Sequence, residues 1–134
     1  MFVIDKTHVP SKNHSAIGLR AAINILDKWS ASVKQVSSIL RISPSTISRA
    51  KNKENTDWTV NLDVDAMQRI SLVLNIHSTL RLTFDNPDNV YGFTGMKNGN
   101  EYFNGRSPLE VMAQGDFVSL YETFKQIESL RVAG

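Results

Sequence analysis

Between positions 43 and 53 the chain carries a run of side chains suited to reading a polar surface. Ser45, Thr46, Ser48, Arg49 and Asn52 combine short hydrogen-bonding groups with a guanidinium fork, and Lys51 and Lys53 follow with no acid before Glu54. On a helix begun at Ser43-Pro44 these polar groups face outward, while Ile47 and Ala50 face inward. The matching chemistry is recognition of base edges. A guanidinium pairs bidentately with guanine and a carboxamide with adenine, which makes Arg49 and Asn52 the candidate readers. Lys34, Arg41, Lys51 and Lys53 suit phosphates, which fix register without reading sequence. The helix start at Ser43 favours a phosphate as well. The competing reading is a solvated polar face on a helical hairpin that binds nothing.

A second constellation occupies residues 100–110, Asn-Glu-Tyr-Phe-Asn-Gly-Arg-Ser-Pro-Leu-Glu. Gly105 permits a sharp turn, Phe103 offers an anchor into a core, and Ser107-Pro108 with Glu110 forms a capping box that starts a helix. Catalysis finds no comparable support. His8, His14 and His77 are far apart, and His77, set among apolar residues, reads as a half-buried core histidine. Asp63 and Asp65 sit at a helix start, where acids favour the macrodipole without any chemical task. No nucleophile motif, phosphate loop or metal-ligand spacing is present. No catalytic residue, metal or cofactor is expected.

The elements that must position these groups are helical. Ser15 is the expected cap of a first helix, with Ile17, Ala21, Ala22, Ile25, Leu26 and Trp29 at helical spacing. A short helix over residues 32–40 places Val33, Val36, Ile39 and Leu40 on one face and turns it inward. The turn Arg41-Ile42-Ser43 plugs Ile42 into the angle before the helix of the candidate readers, and Ser37 supplies the small residue where the two helices cross. Residues 52–57 form a polar linker. From Leu62 the pattern continues through Val64, Met67, Ile70, Leu74, Ile76, Leu80, Leu82 and Phe84, with a break into two helices expected at His77-Ser78. Residues 85–106 hold five Asn, four Gly and Pro87, yet also Tyr91, Phe93, Tyr102 and Phe103. Because disordered linkers are poor in aromatics, this is an ordered, docked loop. Asp116 caps a final helix bearing Phe117, Leu120, Tyr121, Phe124, Ile127 and Leu130 on one face. The fold class is all-α. The division read from this pattern is a flexible arm over 1–14, a helix-turn-helix unit over 15–56, and a further helical region over 57–134.

Composition narrows the class further. With 134 residues, 41% of them hydrophobic, the chain can bury a core. It has no cysteine, which excludes disulfides and thiolate metal sites. No signal peptide and no apolar run of ~20 residues is evident, so the expected location is the cytoplasm, with no membrane partner. Residues 1–60 hold nine Lys or Arg against four acids, and residues 61–134 hold six against nine. A basic half suits a polyanion and an acidic half a protein partner or solvent, although chance asymmetry in a short chain gives the same picture.

Residues 33–53 resemble the phage-repressor helix-turn-helix. That type has glycine, in a left-handed conformation, where this chain has Arg41, so either a strained arginine or a wider or differently shaped turn is expected here. Combined with residues 100–110, the chain resembles the Xre/MbcA/ParS antitoxins over residues 15–134. In that family an asparagine, an apolar residue, a glycine and a proline recur at the spacing of Asn100, Phe103, Gly105 and Pro108. The resemblance implies a homodimer whose N-terminal part binds operator DNA of its own operon. Its C-terminal part would bind a cognate toxin, most often a RES-type enzyme that consumes NAD. Carried over by position, the toxin-binding candidates are Asn100, Phe103, Gly105, Arg106 and Ser107 in the loop, and Glu128, Arg131 and Gly134 at the end of the last helix. Where the family has a tryptophan-bearing helix before the loop, this chain has Val90-Tyr91-Gly92-Phe93-Thr94-Gly95, and two glycines predict no long helix. A stand-alone repressor whose residues 60–134 serve only for pairing, and an antitoxin whose DNA-reading face has decayed, remain open alternatives.

Overall fold

The computed structural model describes residues 11–52, 54 and 56–133, the side chains of 132 and 133 excepted. The described residues form α-helices and one 3-10 turn, with no strand. In chain order these are α1 (Lys12–Lys28), α2 (Val33–Leu40), α3 (Pro44–Lys51), α4 (Val64–Thr83), α5 (Pro87–Gly92), a 3-10 turn (Phe93–Gly95), α6 (Pro108–Met112) and α7 (Phe117–Ala133). The all-α expectation is met.

α4 is the axis of the fold. Its buried residues, from Ala66 and Met67 through Ile70, Val73 and Ile76 to Leu80, lie on nearly every side of the helix, as expected for a helix enclosed by neighbours. It packs most extensively on α7 and then on α1, with α2 and α5 at its flanks. One continuous apolar cluster joins Leu19, Leu26 and Trp29 of α1, Val36 and Ile39 of α2, Ile47 of α3 and Leu120 and Ile127 of α7 to this axis. Each such side chain contributes about 1.5–3 kcal/mol on full burial. The helix-turn-helix and the C-terminal helices therefore share a single core.

Five local expectations are corrected. α1 starts at Lys12, because the Ser11 hydroxyl accepts from His14 N at 3.2 Å. Ser15, expected as the cap, is buried one turn later. Residues 12–14, read as part of the arm, are thus the first turn of α1, and residues 1–10 lie outside the described residues. Ala22, Ile25, Leu26 and Trp29 are buried as expected, but Ile17, expected inward, is 59% exposed, and Leu19 is fully buried instead. α4 continues unbroken through His77-Ser78, since neither residue removes a backbone donor and both are only mildly unfavourable in a helix. Its true end precedes Pro87, where Asn86 caps α5 by accepting from Asp88 N at 2.9 Å. The segment 85–106 consequently contains a short helix and a 3-10 turn rather than loop throughout. Finally, Val33 points outward at 51% exposure, while Val36, Ile39 and Leu40 are buried as expected.

Candidate nucleic-acid interface and partner-binding loop

The two helices of the reading unit are each fixed by their own sequence. Ser32 and Gln35 close a capping box on α2, with Gln35 N donating to Ser32 Oγ at 3.1 Å and Ser32 N donating to Gln35 Oε1 at 2.9 Å. Ser43 caps α3 by accepting from Thr46 N at 3.2 Å, with Pro44 in the first turn. Between them Arg41 adopts φ 55°, ψ 47°. The turn therefore has the left-handed geometry ordinarily given to glycine. Of the expected alternatives the strained one is adopted, and an arginine carries the conformational cost. Ser37, the crossing residue, donates from its hydroxyl to Ile42 O at 2.6 Å, which ties the turn back to α2. Ile42, Ile47 and Ala50 are buried as expected.

The outward face of α3 carries Ser45, Ser48 and Arg49, with Thr46 half-buried beside Ser43 and Asn52 exposed at the helix end. An Arg49 Nη2 hydrogen reaches Ser45 Oγ at 3.3 Å, one turn back along the same face. Asn52 is partly engaged, its Oδ1 accepting from Glu54 N at 3.1 Å. Lys34 is exposed in the first turn of α2. The remaining bases are tied down. Lys51 pairs with Asp27 of α1 at 3.1 Å and Arg41 with Asp65 of α4 at 3.6 Å. Lys53 lies outside the described residues.

The loop candidates are brought together, but several of them hold the loop's shape. Asn98 N donates to Arg106 O at 3.0 Å and Gly105 N to Asn98 O at 2.8 Å, which closes the segment on itself. Asn100 makes a local turn, its Oδ1 accepting from Tyr102 N at 2.7 Å, and its Nδ2 reaches Gln126 of α7 at 3.4 Å. Phe103 is buried, edge-on to Tyr102. Gly105 sits at φ +83°, where a side chain would be strained. The Arg106 guanidinium donates to the carbonyls of Phe103 (2.8 Å) and Tyr102 (3.1 Å). Ser107 completes the α6 capping box with Glu110, and the Ser107 N–H, followed by its hydroxyl, holds the Glu110 carboxyl below the usual glutamate range. At the far end of α7, Glu128 accepts from Thr79 Oγ1 at 3.1 Å and pairs with Arg131 at 3.6 Å. Gly134 lies outside the described residues. An open cleft of about 330 Å³, lined by Asn100, Glu101, Tyr102 and Gln126, lies between this loop and α7.

Sequence patterning missed Arg69. Its side chain is buried within α4 and binds three elements at once. Nε donates to both Asp65 oxygens (3.1 and 3.2 Å), and Nη1 donates to Ile39 O of α2 (3.3 Å) and Gly115 O before α7 (2.8 Å). The only available clue was an Asp and an Arg at i,i+4 spacing, a pattern that solvent-exposed helices share. Among the described residues no group of three or more His, Cys, Asp or Glu side chains could hold a metal ion, and no helix is long and apolar enough to cross a membrane.

Two short capped helices joined by a turn that Ser37 ties back to the first, with a polar face on the second, define a helix-turn-helix protein. Residues 9–75 match the model of the antitoxin Xre-like helix-turn-helix domain, and the chain belongs to that family. The uncharacterized protein y4oB of Sinorhizobium fredii is 28% identical over 129 residues, covering 95% of this chain and 89% of that protein. That similarity runs through the C-terminal helices as well as the reading unit. No solved structure matches the chain.

Proposed function

We propose that this chain is the antitoxin of a toxin–antitoxin pair that reads the operator of its own operon through α3 and neutralises a toxin through its C-terminal half. The observation that carries the DNA part is the outward face of α3, where Ser45, Ser48, Arg49 and Asn52 stand free of the apolar core on a rigid, doubly capped hairpin. Arg49 and Asn52 are the base readers, Ser43, Ser45, Thr46 and Ser48 add short hydrogen bonds, and Lys34, Arg41, Lys51 and Lys53 serve phosphates. The toxin is a RES-type enzyme that consumes NAD, met by the loop over residues 98–107 and the end of α7. The protein acts in the cytoplasm as a homodimer, because one recognition helix contacts too few bases for tight binding. Apolar side chains available for pairing are exposed on α7, at Val118 and Tyr121, and at the end of α4, at Leu82.

Co-expression with the product of the adjacent open reading frame tests this reading. The antitoxin copurifies with that product and relieves its toxicity, and a gel shift on the shared promoter at stated salt shows operator binding. Promoter binding without copurification or rescue would instead identify a stand-alone repressor.

A further inference from the structure

We propose that the cleft between α1 and the end of α3 is a backbone-phosphate site that Asp27 keeps occupied, so that a carboxylate of the scaffold stands where a DNA phosphate would pair with Lys51. The inference rests on the reading of α3 as a DNA-facing helix and adds a device that sets its affinity. The cleft, of about 380 Å³, is lined by Arg20, Asn24, Asp27, Lys51 and Asn52, and it opens beside the reading face. Both Asp27 oxygens lie within reach of Lys51 Nζ, at 3.1 and 3.2 Å. The two side chains are 42% and 41% exposed. A pair this open to water contributes little to folding stability, so Asp27 can be replaced without disturbing the fold.

A helix C-terminus ordinarily repels anions, because its free carbonyls carry the negative end of the macrodipole. Here Arg20 Nε donates to Ala50 O at 3.0 Å and screens that end, while its guanidinium lies 5.4 Å from the Trp58 ring centroid. The site thus has an ammonium, carboxamides from Asn24 and Asn52, and a helix end screened by Arg20, with Asp27 the one acid among the described residues that line it. The same arrangement recurs across the hairpin, where Asp65 of α4 holds Arg41 at 3.6 Å. There the carboxylate is shared with buried Arg69 and cannot be removed without disturbing the core. Asp27 is therefore the acid whose removal reads cleanly.

The test is fluorescence anisotropy with a labelled duplex of arbitrary sequence over a series of KCl concentrations, using the full chain as wild type, Asp27→Asn, Lys51→Ala and the double variant. Removing a unit charge ~6–8 Å from a phosphate in water strengthens binding by about threefold at low salt. Asp27→Asn also releases Lys51 for one more phosphate contact, steepening the log–log salt slope by about 0.9. In the double variant the steeper slope disappears. A wild type that binds duplex, with Asp27→Asn equal to it in affinity and slope, overturns the inference and leaves the DNA-binding reading standing. Absence of salt-dependent binding by the wild type overturns that reading, and the inference with it.

Discussion

Arg69 Nη1 donates to the carbonyl of Gly115 across 2.8 Å, although the two residues lie 46 positions apart in the chain. The same nitrogen reaches Ile39 O at 3.3 Å. Gly115 in turn sits against α2, since a Cβ placed on it would lie 3.5 Å from Ser38 O. One buried cation thus fastens the end of α2, the start of α4 and the entry to α7 together. Arg69→Ala leaves one buried and one half-buried carbonyl without this donor and should destabilise the fold by about 2–3 kcal/mol, less than a fully buried broken pair because Asp65 can still reach water. Urea denaturation, read by far-ultraviolet circular dichroism, measures this.

Arg41 makes a separate prediction at the turn. Its left-handed backbone disfavours any Cβ, whereas its ion pair with Asp65 is largely exposed and contributes at most about 1 kcal/mol. Arg41→Gly should therefore be more stable than Arg41→Ala by about 1–2 kcal/mol. Equal thermal midpoints for the two variants would contradict a left-handed turn.

Gly18 lies inside α1, where a glycine weakens a helix. A Cβ there would meet Ile70 Cγ2 at 3.6 Å and Met67 Cε at 3.9 Å, which is ordinary contact. Gly18→Ala should raise stability by about 0.5–1 kcal/mol, seen as a higher denaturant midpoint at unchanged m-value.

His77 sets a pH dependence. Its ring stacks on Tyr91 at 5.5 Å, with Lys28 on the other helix 5.0 Å from the Tyr91 centroid. Burial first, then Arg81 and Lys28, hold its pKa below the ordinary histidine range. The unfolded chain therefore takes up the proton first as pH falls. The stability from neutral His77 is complete above about pH 6.5 and declines below it, down to the folded-state pKa. Comparing denaturant midpoints of wild type and His77→Gln through this window isolates the effect, and the variant should lack the decline.

On the DNA-facing side, Arg49→Ala should weaken binding to the operator by about 1–3 kcal/mol and relax preference at one base pair. Footprinting with an operator series checks both, and an unchanged pattern would remove Arg49 from the readers.

Much of this was legible in the sequence, for identifiable reasons. The caps at Ser32, Ser43, Ser107 and Asp116 are local chemistry, so short-range spacing revealed where helices begin. Asp116 even keeps its carboxyl pKa low through the hydrogen bond from Ser119 N. What stayed hidden depends on tertiary neighbours. The uninterrupted run of α4 through His77 is set by α1 and α7 packing along it, which a local pattern does not contain. Val33 and Ile17 look like core residues by type, yet the crossing angles of the helices leave them outside. In the loop, Arg106 looked like a charge offered to a partner, but its guanidinium is folded back onto two carbonyls. The acids that meet Lys51 and Arg41, and the two carbonyls that Arg69 binds, come from distant segments, and charge counts along the chain could not supply them.

Because Gly18 of α1 rests on Met67 and Ile70 of α4, the reading unit has no self-sufficient underside of its own. Recombination that exchanged only the first sixty residues between relatives would set a foreign α1 on an ill-fitting α4. New operator preferences are therefore more readily acquired by point changes on the outer face of α3 than by transplanting the hairpin, and any viable graft would have to carry the first turns of α4 along with it.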